Sequence, residues 1–279
     1  MSNSNFFVLA GENLSGLDVL FKGCCLEQYD NKDKVVRYIV DGSFKLPELI
    51  KQELLMRKVD WAILPLQKFS DLGLIVSDMD STLITIECID EIADMAGIKE
   101  EVFQITQQAM QGKIDFETSL KKRVKLLKGL TEQDLKNVLE SRLKLTQGAK
   151  FLIEECQKND IKFVLISGGF TFFTDYLYKS LRLTAAFSNI LEIQNGILTG
   201  EIVGEILDAN AKAKYLKQYR EAYGLEKNQV VAMGDGANDI EMMKEAGISF
   251  AYHAKPKTKE YATFCIDFYG LDFVRYCFI

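Results

Sequence analysis

Two groups of carboxylates stand where short apolar runs of the sequence end. Asp78 and Asp80 follow an apolar run at 72–76, and Asp235 and Asp239 follow a second such run. Carboxylates that face one another repel, and Mg²⁺ suits a site with few protein oxygens and room for water. Taken alone, an Asp-x-Asp pair is more typical of a solvated strand end or a helix cap. The two groups together favour a magnesium site.

A third polar loop offers groups that suit an anion. Ser167, Gly168 and Gly169 follow the apolar run at 161–166 and supply a hydroxyl and backbone N–H groups. At the start of a helix these groups favour negative charge. A tight turn with a serine helix cap would explain the loop equally, and Lys212 taken alone is typical of a surface lysine. Combined with a metal and its carboxylates, these residues indicate phosphoryl transfer.

The three apolar runs, at 72–76, 161–166 and 229–233, have the length of buried strands. The segments between them show helical periodicity and are far longer than a hairpin allows. This pattern predicts a Rossmann-like open α/β fold with parallel strands and helical crossovers. Ligands of such sheets bind beyond the carboxyl ends of the strands. The three loops are therefore expected to converge.

The first two of these strands are separated by roughly 80 residues, too many for one crossover helix. Glycines at 97, 112 and 129 and a capping Thr131 divide this segment into four predicted helices, at 87–96, 100–111, 116–128 and 132–142. Further on, Asn195-Gly196 lies between two apolar triplets and predicts a type I′ hairpin. The chain therefore carries a helical insert at 87–141.

The first 70 residues form a predicted small α/β module of their own. Strands are expected at 6–10, 35–40 and 61–64, a helix at 47–57, and the junction with the rest of the chain at 67–71. No ligand motif is present. A regulatory role and a role in forming a homodimer are both open.

The amino-acid composition disfavours several classes of binding partner. Lys and Arg total 34 against 40 Asp and Glu, a net charge of −6, which disfavours binding to nucleic acid or to an anionic membrane. No apolar run reaches about 18 residues, and the start lacks the basic flank of a signal peptide. A single histidine and the absence of CxxC pairs disfavour structural zinc, and the thiols fit a reducing compartment, so we expect a cytoplasmic protein. Its cysteines are Cys24, Cys25, Cys88, Cys156, Cys265 and Cys277.

Four segments of the sequence resemble the four motifs of the haloacid dehalogenase superfamily, in the same order: 78–82, 167–170, Lys212 and 234–239. Within the insert, the segments 87–93, 109–116 and 119–124 are similar to the phosphoserine phosphatase family. The resemblance covers about residues 72–268. It implies a catalytic core at 71–86 and 142–279 and a four-helix cap at 87–141.

The resemblance assigns the chemistry. It implies that Asp78 is the nucleophile that forms an aspartyl-phosphate, and that Asp80 protonates the leaving hydroxyl and then activates water. Mg²⁺ would be held by the carboxylates of Asp78 and Asp235 and by the backbone carbonyl of Asp80, with Asp239 orienting its water.

The same resemblance implies the phosphate contacts. Ser167, the Gly168 N–H and Lys212 would neutralise the phosphate oxygens as charge develops. Asn238 would hold either Lys212 or the phosphate.

The third predicted helix of the insert has two unlike faces. Phe116, Leu120, Arg123 and Leu127 fall on one face, and three lysines fall on the other. A guanidinium on an apolar face needs a carboxylate, either that of the substrate or that of a cap glutamate in an internal salt bridge.

The remaining cap assignments follow from the resemblance. Glu87 is expected to bind the substrate ammonium, and Met110 and Phe116 to wall off water. For Met110 and Phe116, a plain core role fits the pattern equally well. The small-molecule substrate implied is O-phosphoserine, hydrolysed with Mg²⁺ in the last step of serine biosynthesis. Alternatives are a phosphatase or phosphotransferase acting on another small phosphomonoester, such as phosphohomoserine, and a non-catalytic ligand-binding regulator.

Overall fold

The computed structural model describes residues 4–21, 27–32 and 34–279. Its N-terminal module contains a four-stranded antiparallel sheet in the order β2-β3-β1-β4. The elements are β1 (Ser4–Ala10), β2 (Glu27–Lys32), β3 (Val35–Asp41), α1 (Glu48–Met56) and β4 (Asp60–Pro65). Strand β2 was not expected, because its residues are polar and lack the apolar alternation that marks a strand. Cys24 and Cys25 lie outside the described residues.

The main sheet has seven strands in the order β11-β10-β9-β5-β6-β7-β8. They are β5 (Leu74–Ser77), β6 (Lys162–Phe170), β7 (Ala185–Gln194), β8 (Ile197–Val203), β9 (Val230–Gly234), β10 (Ile248–Tyr252) and β11 (Phe264–Ile266). Neighbouring strands are parallel except for the β7–β8 hairpin, whose turn residues Asn195 and Gly196 both have positive φ, 52° and 77°. The predicted open α/β fold and its hairpin are confirmed.

The segment 87–141, between β5 and β6, contains four helices, as predicted. They are α2 (Cys88–Met95), α3 (Lys99–Met110), α4 (Phe116–Leu126) and α5 (Glu132–Ser141). Gly97, Gly112 and Gly129 adopt the positive φ expected of residues that end helices. Thr131 caps α5 by accepting a hydrogen bond from the N–H of Asp134.

The helices α6 (Ala149–Lys158), α7 (Thr171–Leu181), α8 (Ala209–Ala222), α9 (Ile240–Glu245), α10 (Pro256–Lys259) and α11 (Phe273–Tyr276) complete the core. Both faces of the sheet are covered, which explains why β5 is buried along its whole length. Alternate residues of β5 enter different clusters: Ile75 joins the large apolar cluster that reaches the insert, and Leu74 packs with Leu216 and Met242 from α8 and α9. None of the helices in the described part of the chain has the length and hydrophobicity needed to cross a membrane.

The N-terminal module is fixed to the core by buried polar contacts. The Asp60 carboxylate accepts the backbone N–H groups of Asp267, Phe268 and Tyr269 at 2.7–2.9 Å. Arg37 donates to the carbonyl of Phe278 at 3.0 Å. Such charge-assisted hydrogen bonds hold the two sheets in one arrangement.

Candidate active site

The three polar loops converge at the carboxyl ends of adjacent strands. Ser77 pairs with Leu165 on one side and with Met233 on the other, so β5 and β9 end side by side, and β6 continues past them to Phe170. Beyond these ends lies a cavity of about 760 Å³. Ten of the twelve predicted site residues line it: Asp78, Asp80, Glu87, Met110, Phe116, Arg123, Ser167, Gly168, Asp235 and Asn238. The other two, Lys212 and Asp239, lie directly behind Asp78.

Three aspartates form a compact acidic cluster at the base of this cavity. One carboxylate oxygen from each of Asp78, Asp235 and Asp239 lies within 4.8 Å of the others. Burial, with repulsion from Asp239, raises the pKa of Asp78 well above its ordinary value, and the same two causes raise the pKa of Asp235 to about 7. The raised pKa values show that these carboxylates repel one another when they are ionised. A hard divalent cation such as Mg²⁺ would relieve this repulsion and prefers oxygen ligands, so the cluster fits such a cation.

Gly234 makes room for this cluster. A Cβ atom at position 234 would lie 2.3 Å from the Cγ of Asp239. No side chain fits that space, so the glycine lets the strand end run beside the carboxylate.

Lys212 is buried, with only 1% of its surface exposed. Its Nζ lies 2.8 Å from an oxygen of Asp78 and 2.7 Å from an oxygen of Asp239. Burial disfavours the charged ammonium, but the two carboxylates outweigh it and raise the pKa of Lys212. The surface-lysine alternative is therefore wrong. Asn238 lines the cavity, but Lys212 is held by Asp78 and Asp239 and makes no hydrogen bond to Asn238.

Asp80 lies in the tight turn that follows β5, where Ser81 adopts a φ of 55°. One of its oxygens accepts the N–H of Cys88, the first residue of α2, at 3.2 Å. Burial, with repulsion from Glu87, raises the pKa of Asp80 to about 7. A carboxyl group with this pKa can both give and take a proton near neutral pH. The Asp80 carboxylate lies outside the three-aspartate cluster.

The Ser167-Gly168-Gly169 loop is part of an extended chain rather than a helix cap. Strand β6 continues to Phe170, which is the N-cap of α7, so the alternative of a serine cap is wrong. The Ser167 Oγ instead accepts the N–H of Gly169 at 2.9 Å. A Cβ atom on Gly169 would lie 2.9 Å from an oxygen of Asp80, which shows how closely this loop approaches the acidic residues.

Arg123 reaches the cavity from the inserted helices. Leu120 and Leu127 on its face of α4 are buried, and the lysines of the opposite face are exposed, as the sequence pattern predicts. The Arg123 Nε is buried and has no hydrogen-bond partner. Within residues 4–21, 27–32 and 34–279, no carboxylate lies within salt-bridge distance of Arg123. The alternative of an internal salt bridge is therefore wrong.

Three further predicted residues lie around Arg123. Glu87 is the N-cap of α2 and accepts a hydrogen bond from the Ser81 Oγ at 2.6 Å. Met110 is 62% exposed, so a core role for Met110 is excluded. Phe116 is half-buried, packs against the large apolar cluster and extends its ring to the loop at Gly168.

Two residues of this region were not found from the sequence. Lys255 lines the cavity, and its backbone N–H donates to the carbonyl of Asp235. Asn189 is a buried polar residue on β7 that contacts the Gly168 carbonyl. The available signal for Asn189 was an amide side chain in the middle of a strand, next to Ser188.

Comparison with known proteins places this architecture in a family. Residues 75–244 match the model of the haloacid dehalogenase-like hydrolases. A phosphoserine phosphatase from Polaromonas is 49% identical over 74% of this chain and 89% of its own length. The unliganded structure of a probable phosphoserine phosphatase from Vibrio cholerae is 39% identical, covers 98% of this chain and 85% of its own, and superposes with a TM-score of 0.84.

A third relative bears on the nucleophile. The structure of a phospho-aspartyl intermediate analogue of phosphoserine phosphatase is 41% identical, covers 75% of this chain and 99% of its own, and has a TM-score of 0.70. The chain belongs to the haloacid dehalogenase-like hydrolases and, within them, to the phosphoserine phosphatase family.

Proposed function

We propose that this protein hydrolyses O-phosphoserine to serine and inorganic phosphate with Mg²⁺, the last step of serine biosynthesis. The observation that carries the proposal is the buried Nε of Arg123, which has no hydrogen-bond partner in the described part of the chain and belongs to the same cavity as the three-aspartate cluster. The cluster suits a metal ion that can bind a phosphate ester, and the guanidinium needs a carboxylate. Phosphoserine brings both groups in one small molecule.

The Asp78 carboxylate is the nucleophile. Its oxygen forms a bond to phosphorus while the bond from phosphorus to the serine oxygen breaks, and Asp80 gives its proton to that oxygen. Asp80 then takes a proton from the water that attacks the phosphorus of the aspartyl-phosphate, which frees Asp78 and releases phosphate. The pKa of Asp80, raised to about 7 by burial, suits both steps. A relative crystallised as a phospho-aspartyl intermediate analogue supports this route.

The metal would be held by Asp78 and Asp235, together with the backbone carbonyl of Asp80. Bound there, Mg²⁺ supplies the positive charge that lets a carboxylate approach a phosphate. Asp239 would orient water on the metal, and through its contact with Lys212 it holds the lysine beside Asp78. The close grouping of three carboxylates supports this ligand set.

The phosphate oxygens are bound by Ser167, the Gly168 N–H, Lys212 and Asn238. Lys212 is rigidly placed because it is buried and contacts Asp78 directly. Donors fixed before the reaction stabilise the charge that develops on these oxygens without having to reorganise.

The inserted helices at 87–141 act as a cap that binds the amino-acid part of the substrate. Arg123 binds the carboxylate, Glu87 binds the ammonium, and Phe116 and Met110 exclude water. Residues 71–86 and 142–279 form the catalytic core. The module at 1–70 is proposed to regulate the enzyme or to form a homodimer, and a cytoplasmic location is proposed from the free cysteines of the described chain.

The direct test is phosphate release by the purified protein from phosphoserine, from phosphohomoserine and from p-nitrophenyl phosphate, with and without EDTA. We expect phosphoserine to have the highest kcat/KM, and chelation to lower activity at least about 100-fold, with recovery on adding Mg²⁺. Activity that chelation leaves unchanged would contradict the metal proposal. A clear preference for phosphohomoserine would contradict the substrate proposal and leave the mechanism intact.

A further inference from the structure

The regular pairing of strand β6 with β7 is interrupted at residues 167–169, which we call the phosphate loop. The β6–β7 ladder pairs Ile166 with Phe187 and next pairs Phe170 with Asn189. The chain therefore takes four residue steps along β6 against only two along β7. Residues 167–169 therefore stand opposite Ser188 alone, two residues more than a regular ladder allows, and they bulge toward the cavity.

The side chain of Asn189 fills the gap that this bulge leaves. Asn189 is only 1% exposed. Its Nδ2 donates to the Gly168 carbonyl at 2.8 Å, and its Oδ1 accepts the Leu207 N–H at 2.8 Å. A carbonyl left unpaired at such a place is unfavourable, so the amide replaces the missing strand partner. Because both ends of the amide are engaged, the side chain has one orientation.

This contact fixes the groups that face the cavity. The Gly168–Gly169 peptide is held at its carbonyl by Asn189 and at its N–H by the Ser167 Oγ. Since the Ser167 Oγ accepts that hydrogen bond, its own proton is left for an acceptor in the cavity. The loop is thus set to donate outward, toward an anion.

The second contact of Asn189 reaches the helix that carries Lys212. Leu207 immediately precedes Asp208, whose carboxylate caps α8 by accepting the Ala211 N–H at 2.8 Å. Lys212 follows in the first turn of α8. One side chain therefore connects the phosphate loop with the start of the lysine helix.

We propose that Asn189 is a positioning residue, which sets the 167–169 loop and the start of α8 at the separation that binds a phosphoryl group. The proposal rests on the proposed function only in taking a phosphoryl group as the ligand of this loop. Asn189 does not line the cavity, so its effect passes through Gly168 and Leu207.

Two variants test this role. Asn189→Leu removes both hydrogen bonds, and Asn189→Asp keeps the shape and the acceptor for Leu207 but loses the donor to Gly168. For both we expect the dissociation constant of inorganic phosphate, measured by calorimetry with Mg²⁺, to rise about tenfold or more. The kcat/KM for phosphoserine and for p-nitrophenyl phosphate should fall about 10- to 100-fold. Affinity for L-serine, which has no phosphate, should change less than about twofold.

Thr174→Val is the matched control. Thr174 is buried on α7 and shares a 2.7 Å hydrogen bond with Ser188, the residue next to Asn189, but within the described residues its side chain makes no hydrogen bond to residues 167–169 or to α8. It should lower thermal stability and leave phosphate affinity unchanged. Wild-type phosphate affinity in both Asn189 variants, an equal loss of serine affinity, or an equal loss of phosphate affinity in the control would overturn the proposal. If the wild type fails to cleave phosphoserine, the proposed function fails, and the phosphate titration still decides the role of Asn189.

Discussion

The cavity has two ends, one formed by the catalytic core (the core end) and one formed by the inserted helices (the cap end). They differ in whether their charged groups already have partners within the protein. At the core end, oppositely charged groups of the protein already contact each other, because Lys212 contacts both Asp78 and Asp239. At the cap end, Arg123 has a buried nitrogen with no partner. The core end is assembled before substrate arrives, whereas the cap end leaves a charge for the substrate to match. We infer from this difference that the core performs the chemistry and that the cap selects the substrate.

This difference between the two ends of the cavity follows from the secondary-structure elements that form them. The core groups stand at the ends of buried parallel strands and are crowded against glycines such as Gly234 and Gly169. The cap groups stand on helices, and Met110 there is largely exposed. Close packing at the core end fixes geometry, and the looser cap end can differ among enzymes that share one reaction.

The largest expected effect is at the core end. Replacing Asp78 with Asn removes the nucleophile, so kcat for phosphoserine should fall at least about 10⁴-fold. Phosphate release measures this effect, and circular dichroism checks the fold. Asp160→Asn, in an exposed ion pair with Lys162, is the control and should change kcat less than about twofold. Near-normal activity of the Asp78 variant would contradict the whole mechanism.

The second-largest effect is expected at Arg123, and it tests whether the cap end acts on substrate choice alone. Arg123→Ala removes the partner of the substrate carboxylate, so kcat/KM for phosphoserine should fall roughly 30- to 1000-fold. The kcat/KM for p-nitrophenyl phosphate, which has no carboxylate, should change less than about threefold. Steady-state kinetics with both substrates measures the split.

Lys122→Ala is the matched control for this experiment, because Lys122 lies on the exposed face of the same helix. It should leave both substrates unaffected. Equal losses for both substrates in the Arg123 variant would mean that the cap supports the chemistry rather than the choice of substrate.

The smallest effect is expected at Met110. Because its side chain is 62% exposed, Met110→Ala loses only the apolar contact that a bound substrate covers. The kcat/KM for phosphoserine should fall about two- to fivefold, by the area removed from water. Leu126→Ala, at a partly exposed apolar position of α4 away from the cavity, serves as the control. A fall of about 100-fold would show that Met110 closes over the substrate, and the two ends would then be less separate than we infer.

Much of this architecture was predictable because it depends on local order. Apolar runs of strand length, the Asn195-Gly196 turn and the glycines that end the cap helices each act over a few residues. The face of α4 that holds Arg123 follows from helical periodicity alone. Strand β2 was missed because a polar edge strand gains its order from pairing with β3 rather than from its own pattern.

The order of the motifs, the alternation of strands and helices, and therefore the set of loops that meet all follow from the sequence alone. Three features depend on the fold: Lys212 is buried between Asp78 and Asp239, the Arg123 Nε has no hydrogen-bond partner within the described residues, and Asn189 spans a gap in the sheet. These properties depend on which side chains from distant segments come within hydrogen-bond distance and how much water they exclude. Residue type and spacing specify neither the contacts between distant side chains nor their exposure to water, because both depend on the packing of the whole chain.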